Sequence, residues 1–261
     1  MNMTFNSISK TKVIPIALWL TGTASISPSF ANALTINIPQ EEIKLEYSQP
    51  VRLEQVFADV ISQSNRNTTA LTQYAVGNKL FNIDKQPQSQ QLKQQVINEL
   101  QSLAAENSAN QASVDILVEQ IKSWNVGYRE ELTLDLDHIR IQPQANPMLN
   151  GHFELVTTTR TPQFSIEGLL TVPQSIELGP DKTLSHYLEP LAQLSSAHPS
   201  YAWVVYPDGH YKRVGYAYWN NENTALIPGT VVFLGYNSDS ASTLELEERI
   251  VKLISMRTST K

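Results

Sequence analysis

The spacing of apolar residues changes several times along the chain, and each change marks an element. Leu34–Pro39 (LTINIP) alternates apolar and polar residues with period two and predicts a strand. In Val51–Val60, residues Val51, Leu53, Val56, Phe57 and Val60 fall near helical spacing, and Pro50 is a suitable residue at a helix start. Leu71–Asp84 predicts one strand, broken near Gly77-Asn78 by a turn or bulge. Between Pro87 and Trp124 the composition shifts to Gln, Glu, Lys, Ala and Leu. Leu92, Val96, Leu100 and Leu103 mark one helical face. After Asn107–Asn110, a second face follows at Val114, Leu117, Val118 and Ile121, with Gly127 as a stop. These two faces predict an α-helical hairpin, residues 87–124, inserted into strand-like sequence.

Leu132–Ile141 alternates cleanly, with Leu132, Leu134 and Leu136 set against Thr133, Asp135 and Asp137, and predicts a strand. If the leucines face inward, the same parity turns His138 and Arg140 inward. A buried guanidinium is costly unless its donors meet carboxylate or carbonyl acceptors. Arg140 is therefore expected to tie strands and loop together, or else to contact an anionic sugar or a partner. His152–Thr159, Phe164–Val172 (broken at Gly168) and Ser175–Leu178 predict further strands. Thr183 can cap a helix over Leu184–Leu194, which Pro190 disturbs.

Tyr201–Tyr206 and Tyr211–Tyr218 form a hairpin through the Pro207-Asp208-Gly209 turn. Pro228-Gly229-Thr230 launches the apolar run Val231–Tyr236. The order strand, strand, helix, strand, strand, strand is that of a β-grasp module, and the first half of the chain has a similar order. Most aromatics of the hairpin serve a core. Trp219, in the turn, and Tyr218 beside it are the candidates for stacking on a sugar ring. The last element, Thr243–Arg257, is an amphipathic helix with Leu246, Ile250, Leu253 and Ile254 on one face, acids first and bases last. That stripe either packs on the sheet or docks a partner or membrane surface. At about 20 Å the helix is too short to span a bilayer.

Composition narrows the chemistry. The chain has 261 residues, 41% hydrophobic and 17% charged, enough for one large or two small domains. It has no cysteine, which removes disulfide, zinc-thiolate and cysteine-nucleophile readings. A net charge of -6 with scattered Lys and Arg argues against a nucleic-acid partner. Lys10 and Lys12, the apolar Val13–Leu20 and the Ala31-Asn32-Ala33 step form a secretory signal, residues 1–33, with cleavage after Ala33. The mature chain is then more acidic, and its expected location is the periplasm. Glu130-Glu131 and Asp135/Asp137 are acids at adjacent or alternating positions, the pattern of a solvated face. The five histidines are dispersed, and no G-x-S-x-G or H-E-x-x-H motif occurs. No catalytic, cofactor-binding or metal residue is assigned, and no cofactor is expected.

Several motifs in order carry a resemblance. Asp137-His138-Ile139-Arg140 is followed by Asn146-Pro147-Met148-Leu149-Asn150-Gly151, then Arg160-Thr161-Pro162 and Phe164-Ser165-Ile166-Glu167-Gly168. Tyr206-Pro207-Asp208-Gly209 and Ile227–Tyr236 complete the set. Together they resemble the capsule biosynthesis GfcC family, periplasmic proteins linked to group 4 capsule and exopolysaccharide. Thr161, inside the arginine–proline step, departs from the pattern. The resemblance implies an α+β fold of two β-grasp domains, 34–161 (with the helical hairpin inserted) and 162–237, followed by a C-terminal amphipathic helix, 243–257. It implies domains similar to the periplasmic domains of Wza-type exporters. The expected role is non-enzymatic, through an outer-membrane polysaccharide exporter or the capsule polymer, with the final helix available for docking. The alternative is a periplasmic polysaccharide-modifying enzyme.

Overall fold

The computed structural model describes residues 33–64 and 70–258, so the expected secretory signal lies, but for Ala33, outside the described residues. The fold is α+β. In chain order the first part comprises β1 (Leu34–Ile38), β2 (Ile43–Tyr47), β3 (Val51–Arg52), α1 (Leu53–Gln63), α2 (Ala70–Gln73), β4 (Lys79–Asn82), α3 (Gln86–Glu106), α4 (Gln111–Ser123), α5 (Leu136–Ile141), β5 (Met148–Leu149) and β6 (Gly151–Val156). Four of these strands form a sheet in the order β2-β1-β6-β4, while β3 and β5 pair as a short ribbon. The central pair β1/β6 is parallel, and the outer pairs are antiparallel. The period-two pattern of β1 turns Leu34, Ile36 and Ile38 to one side, where they meet Leu53, Val56, Phe57 and Val60 of α1.

The second part comprises β7 (Gln163–Gly168), β8 (Gln174–Glu177), α6 (Leu184–Leu188), β9 (Tyr201–Val205), β10 (Tyr211–Gly215), β11 (Val231–Leu234) and α7 (Ala241–Ser255). Its sheet runs β10-β9-β11-β7-β8, again with a parallel centre, β7/β11. β7 ends at Gly168, whose φ of +97° suits glycine and where a Cβ would collide with the Leu234 carbonyl. All four residues of β11 are buried. Val232 and Leu234 join Leu184, Tyr187 and Leu188 of α6 on one face. Val231 and Phe233 join a helical layer on the other. A strand covered on both faces reads as an unbroken apolar run, as this one does.

The helical layer consists of α3, α4 and α7. In sequence the α3–α4 hairpin lies between β4 and β6 of the first sheet. Val96, Leu100, Leu117 and Ile121 nevertheless pack with Val205, Val231 and Phe233 of the second sheet and with Ile250, Val251 and Leu253 of α7. Arg249 of α7 pairs with Glu99 of α3 at 2.6 Å.

Two local expectations are corrected. Leu132–Ile141 is not a strand: residues 130–135 belong to no helix or strand, and Leu136–Ile141 is α5. Asp135 caps that helix, accepting hydrogen bonds from the amides of Asp137 (2.9 Å) and His138 (3.1 Å). The alternation survives in burial: Leu134 is buried, and Leu132 and Leu136 pack beside it in the same core. Leu71–Asp84 is likewise divided, into α2 and β4, with a 3-10 turn at Ala75–Gly77 between them.

Candidate functional site: the cleft between the sheets

A cleft of about 690 Å³ lies where the two halves meet. Its walls come from four places: the turn before β4 (Ala75, Val76, Asn78), the segment that carries Arg129 and Glu131–Asp135 with His138 of α5, the β9–β10 turn (Asp208–Tyr211), and the end of α7 (Lys252, Ser255, Met256). Each wall has a local cause. The segment carrying Arg129 runs beside β4, where the Asn82 amide donates to the Tyr128 carbonyl and the Glu130 amide to that of Leu80. The hairpin turn is set by Asp208, whose carboxylate accepts from the His210 amide at 3.0 Å, and by Gly209 at φ +99°. A side chain at Gly209 would also press on the Arg129 guanidinium.

Arg129 is buried and bridges two of those walls. Its guanidinium donates to the Ser255 carbonyl of α7 (3.1 Å) and to the Pro207 carbonyl in the hairpin (2.7 Å). Burial lowers its pKa to about 10, and the nearby Asp208 carboxylate opposes that shift. Behind it, Lys79 of β4 donates to the Arg257 carbonyl just past α7, at 2.9 Å. Two basic side chains thus donate to carbonyls at and beyond a helix C-terminus, where partial negative charge gathers. The chain after α7 is held further by the Arg257–Glu167 pair at 3.0 Å and by the Arg257 guanidinium over the Trp124 ring at 5.1 Å.

The cleft mixes donors and acceptors: Arg129 and Lys252, the carboxylates of Glu131, Asp135 and Asp208, and the imidazoles of His138 and His210. His210 leans on Asp208 at 3.1 Å. Tyr211 forms one side, its hydroxyl pKa raised by burial and by Glu248 and Glu131. Such a set suits polar, hydroxyl-rich ligands. Glu247, a carboxyl group whose pKa burial raises, lies elsewhere, in the α7–sheet core, where it accepts from the Trp203 indole (2.7 Å) and the Tyr236 amide (2.6 Å). His198 has Ser200 and Asp239 nearby, at 3.4 and 3.6 Å. Its Nδ1, however, accepts from the Ser200 and Tyr201 amides, so the ring seats the start of β9. Among the described residues no cluster of three or more His, Cys, Asp or Glu could hold a metal, and no helix is long and apolar enough to cross a membrane.

Comparison with known proteins places this architecture. A family model described as Capsule biosynthesis GfcC, N-terminal, matches residues 31–160. A second, described as Capsule biosynthesis GfcC C-terminal, matches residues 173–259. The chain belongs to the capsule biosynthesis GfcC family. It is also similar to the uncharacterized protein YjbG of Escherichia coli (strain K12), with 32% identity over 143 residues, 54% of this chain. The matched region spans 58% of that relative's length.

In this GfcC-family chain the residues predicted from sequence do not converge on the cleft. Arg140, expected to face inward, sits on the exposed side of α5, because a helix replaces the strand parity that would have turned it in. Its guanidinium lies 3.6 Å from Glu54, with both side chains about half exposed. Arg140→Ala should therefore change stability by less than about 1 kcal/mol in urea unfolding. Leu246, Ile250, Leu253 and Ile254 are buried in the protein's own helical layer, so of the two alternatives for this stripe the chain adopts internal packing, and the four are not available as a docking face. Tyr218 and Trp219 are exposed beyond β10 and do not line the cleft. Arg129 went unremarked in the sequence, since it follows a helix end and belongs to no motif. The Pro207-Asp208-Gly209 turn was legible as a turn but not as a cleft wall.

Proposed function

We propose that the protein is a non-enzymatic accessory factor of capsule or exopolysaccharide assembly and export. It acts in the periplasm by binding the polymer or the exporter. The observation that carries this reading is the match of both halves of the chain to capsule-biosynthesis family models. The mixed donors and acceptors of the cleft suit sugar hydroxyls. Each sheet is read as a β-grasp module, supported by the parallel central pair that both share. The basic, apolar and A-x-A pattern of residues 1–33 supports export from the cytoplasm. The placement of Glu247 in the core, rather than in the cleft, supports a binding role over acid catalysis.

The test uses a strain lacking the gene, complemented with the wild-type protein or with a His138→Ala, His210→Ala double variant. Both histidines are exposed and line the cleft, so the variant should fold. Surface polysaccharide should fall on deletion, return with the wild type and remain low with the variant. In parallel, polymer incubated with the purified mature protein should keep its length distribution on gel filtration. Unchanged surface polysaccharide after deletion would remove the accessory role, and shortening of the polymer would establish an enzyme instead.

A further inference from the structure

Beyond β10 the chain displays two adjacent aromatic rings to solvent. Tyr218 is 100% exposed and Trp219 is 76% exposed, whereas Tyr216 and Tyr236 are buried. The turn that carries them is pinned from below. The Asn220 amide donates to the Ala217 carbonyl at 3.1 Å, and the Ala217 amide donates back to the Asn220 side chain at 3.0 Å. The Asn220 carboxamide also donates to the Ser200 carbonyl at the foot of β9, at 3.2 Å. Glu222 closes the far side, its amide bonded to the Gly215 carbonyl and its carboxylate accepting from the Gly215 amide. Gly215 leaves room for this, since a Cβ there would collide with the Asn220 carbonyl. The Tyr216 hydroxyl donates to the His198 carbonyl at 2.6 Å and anchors the strand end. The turn is therefore held in one shape while the two rings it presents stay largely in water.

We propose that Tyr218 and Trp219 form a sugar-stacking platform, a second contact for the polysaccharide separate from the cleft, which rests on the polymer-binding reading above. The surroundings decide between occupants. A protein partner ordinarily covers about 800 Å² on each side, with an apolar centre; here two rings stand among Asn220, Asn221, Glu222 and Asn223. An anionic membrane surface favours Lys and Arg beside interfacial aromatics; residues 217–224 contain neither, and Glu222 is acidic. A pyranose ring fits both features. Its C–H face stacks on an aromatic ring, and the tyrosine and tryptophan polar tips tolerate water. The exposed side chains of Asn221 and Asn223 offer both donors and acceptors to vicinal hydroxyls. β10 is an edge strand of its sheet, so an extended polymer can pass the turn.

The experiment compares the mature wild-type protein with a Tyr218→Ala, Trp219→Ala double variant by affinity electrophoresis. The gels contain exopolysaccharide from the cells that encode the protein. Wild-type migration should be retarded, and the variant should show about tenfold weaker retardation, with the same circular dichroism and unfolding midpoint as the wild type. Equal retardation of the two proteins would overturn the platform and leave polymer binding standing. No retardation of the wild type would overturn both the platform and the polymer-binding reading, while the deletion phenotype would still report on a role through the exporter. Cosedimentation of the wild type, but not the variant, with phosphatidylcholine–phosphatidylglycerol vesicles would reassign the rings to a membrane contact and overturn the proposal.

Discussion

Arg257→Ala should destabilise the protein by about 3–5 kcal/mol, the cost typical of breaking a buried ion pair by removing one partner. Both side chains of the Arg257–Glu167 pair are about nine-tenths buried, with Oε1 and Oε2 of Glu167 at 3.1 and 3.0 Å from the same guanidinium nitrogen. Without the arginine, the carboxylate is left in the core with its charge uncompensated. The Trp124 ring loses its cation as well. Arg249→Ala provides the contrast. Its pair with Glu99 is just as short but a third or more exposed on both sides, so its loss should cost no more than about 1 kcal/mol. Urea unfolding of the two variants measures the difference. A third variant separates charge from packing: Arg257→Met with Glu167→Met removes both charges and should recover most of the lost stability. Equal effects of Arg257→Ala and Arg249→Ala would show that the buried pair does not hold the end of α7.

The second large effect concerns Lys79. Burial, with Arg129 and Arg257 adding repulsion, lowers its pKa from 10.5 to about 7. Between those values the folded protein holds the amine neutral while the unfolded chain holds it charged. The unfolded state then binds more protons, so stability contributed by this site rises with pH from about 7 to 10.5 and is flat below 7. Lys79→Met removes the titration and keeps the volume. The variant should lose about 1 kcal/mol at pH 10, where only the hydrogen bond to the Arg257 carbonyl is missing. Near pH 7 it should instead be more stable than the wild type, by an amount on the order of 2–3 kcal/mol. Urea midpoints of both proteins across that range test the claim. A difference independent of pH would show that Lys79 remains charged in the folded protein.

Legibility in the sequence followed the range of the interactions. The α3–α4 hairpin could be read from residues 86–123 because its apolar stripes repeat every three or four positions within each helix. The β9–β10 turn could be read because Pro207, Asp208 and Gly209 each fix local backbone geometry. Residues 132–141 read as a strand because Leu132, Leu134 and Leu136 alternate, while Leu136 and Ile139 also fit a helix. The Asp135 cap, two short hydrogen bonds, tips the balance. With that change of element, the inward placement of Arg140 disappears. Arg129 lay beyond any such reading, because its two acceptors are 78 and 126 residues away.

By itself, then, the sequence determined where most elements lie, which of their faces are apolar, and the family to which the chain belongs. Periodicity and turn chemistry are local, and they survive in a one-dimensional string. Only the tertiary structure decided what covers each apolar face. The stripe of Leu246, Ile250, Leu253 and Ile254 reads the same whether a partner or the chain itself buries it, and here α3 and the second sheet bury it. The same holds for the cleft. Its charges come from segments as distant in sequence as Arg129 and Lys252, and they meet because two sheets and the end of α7 converge on one junction.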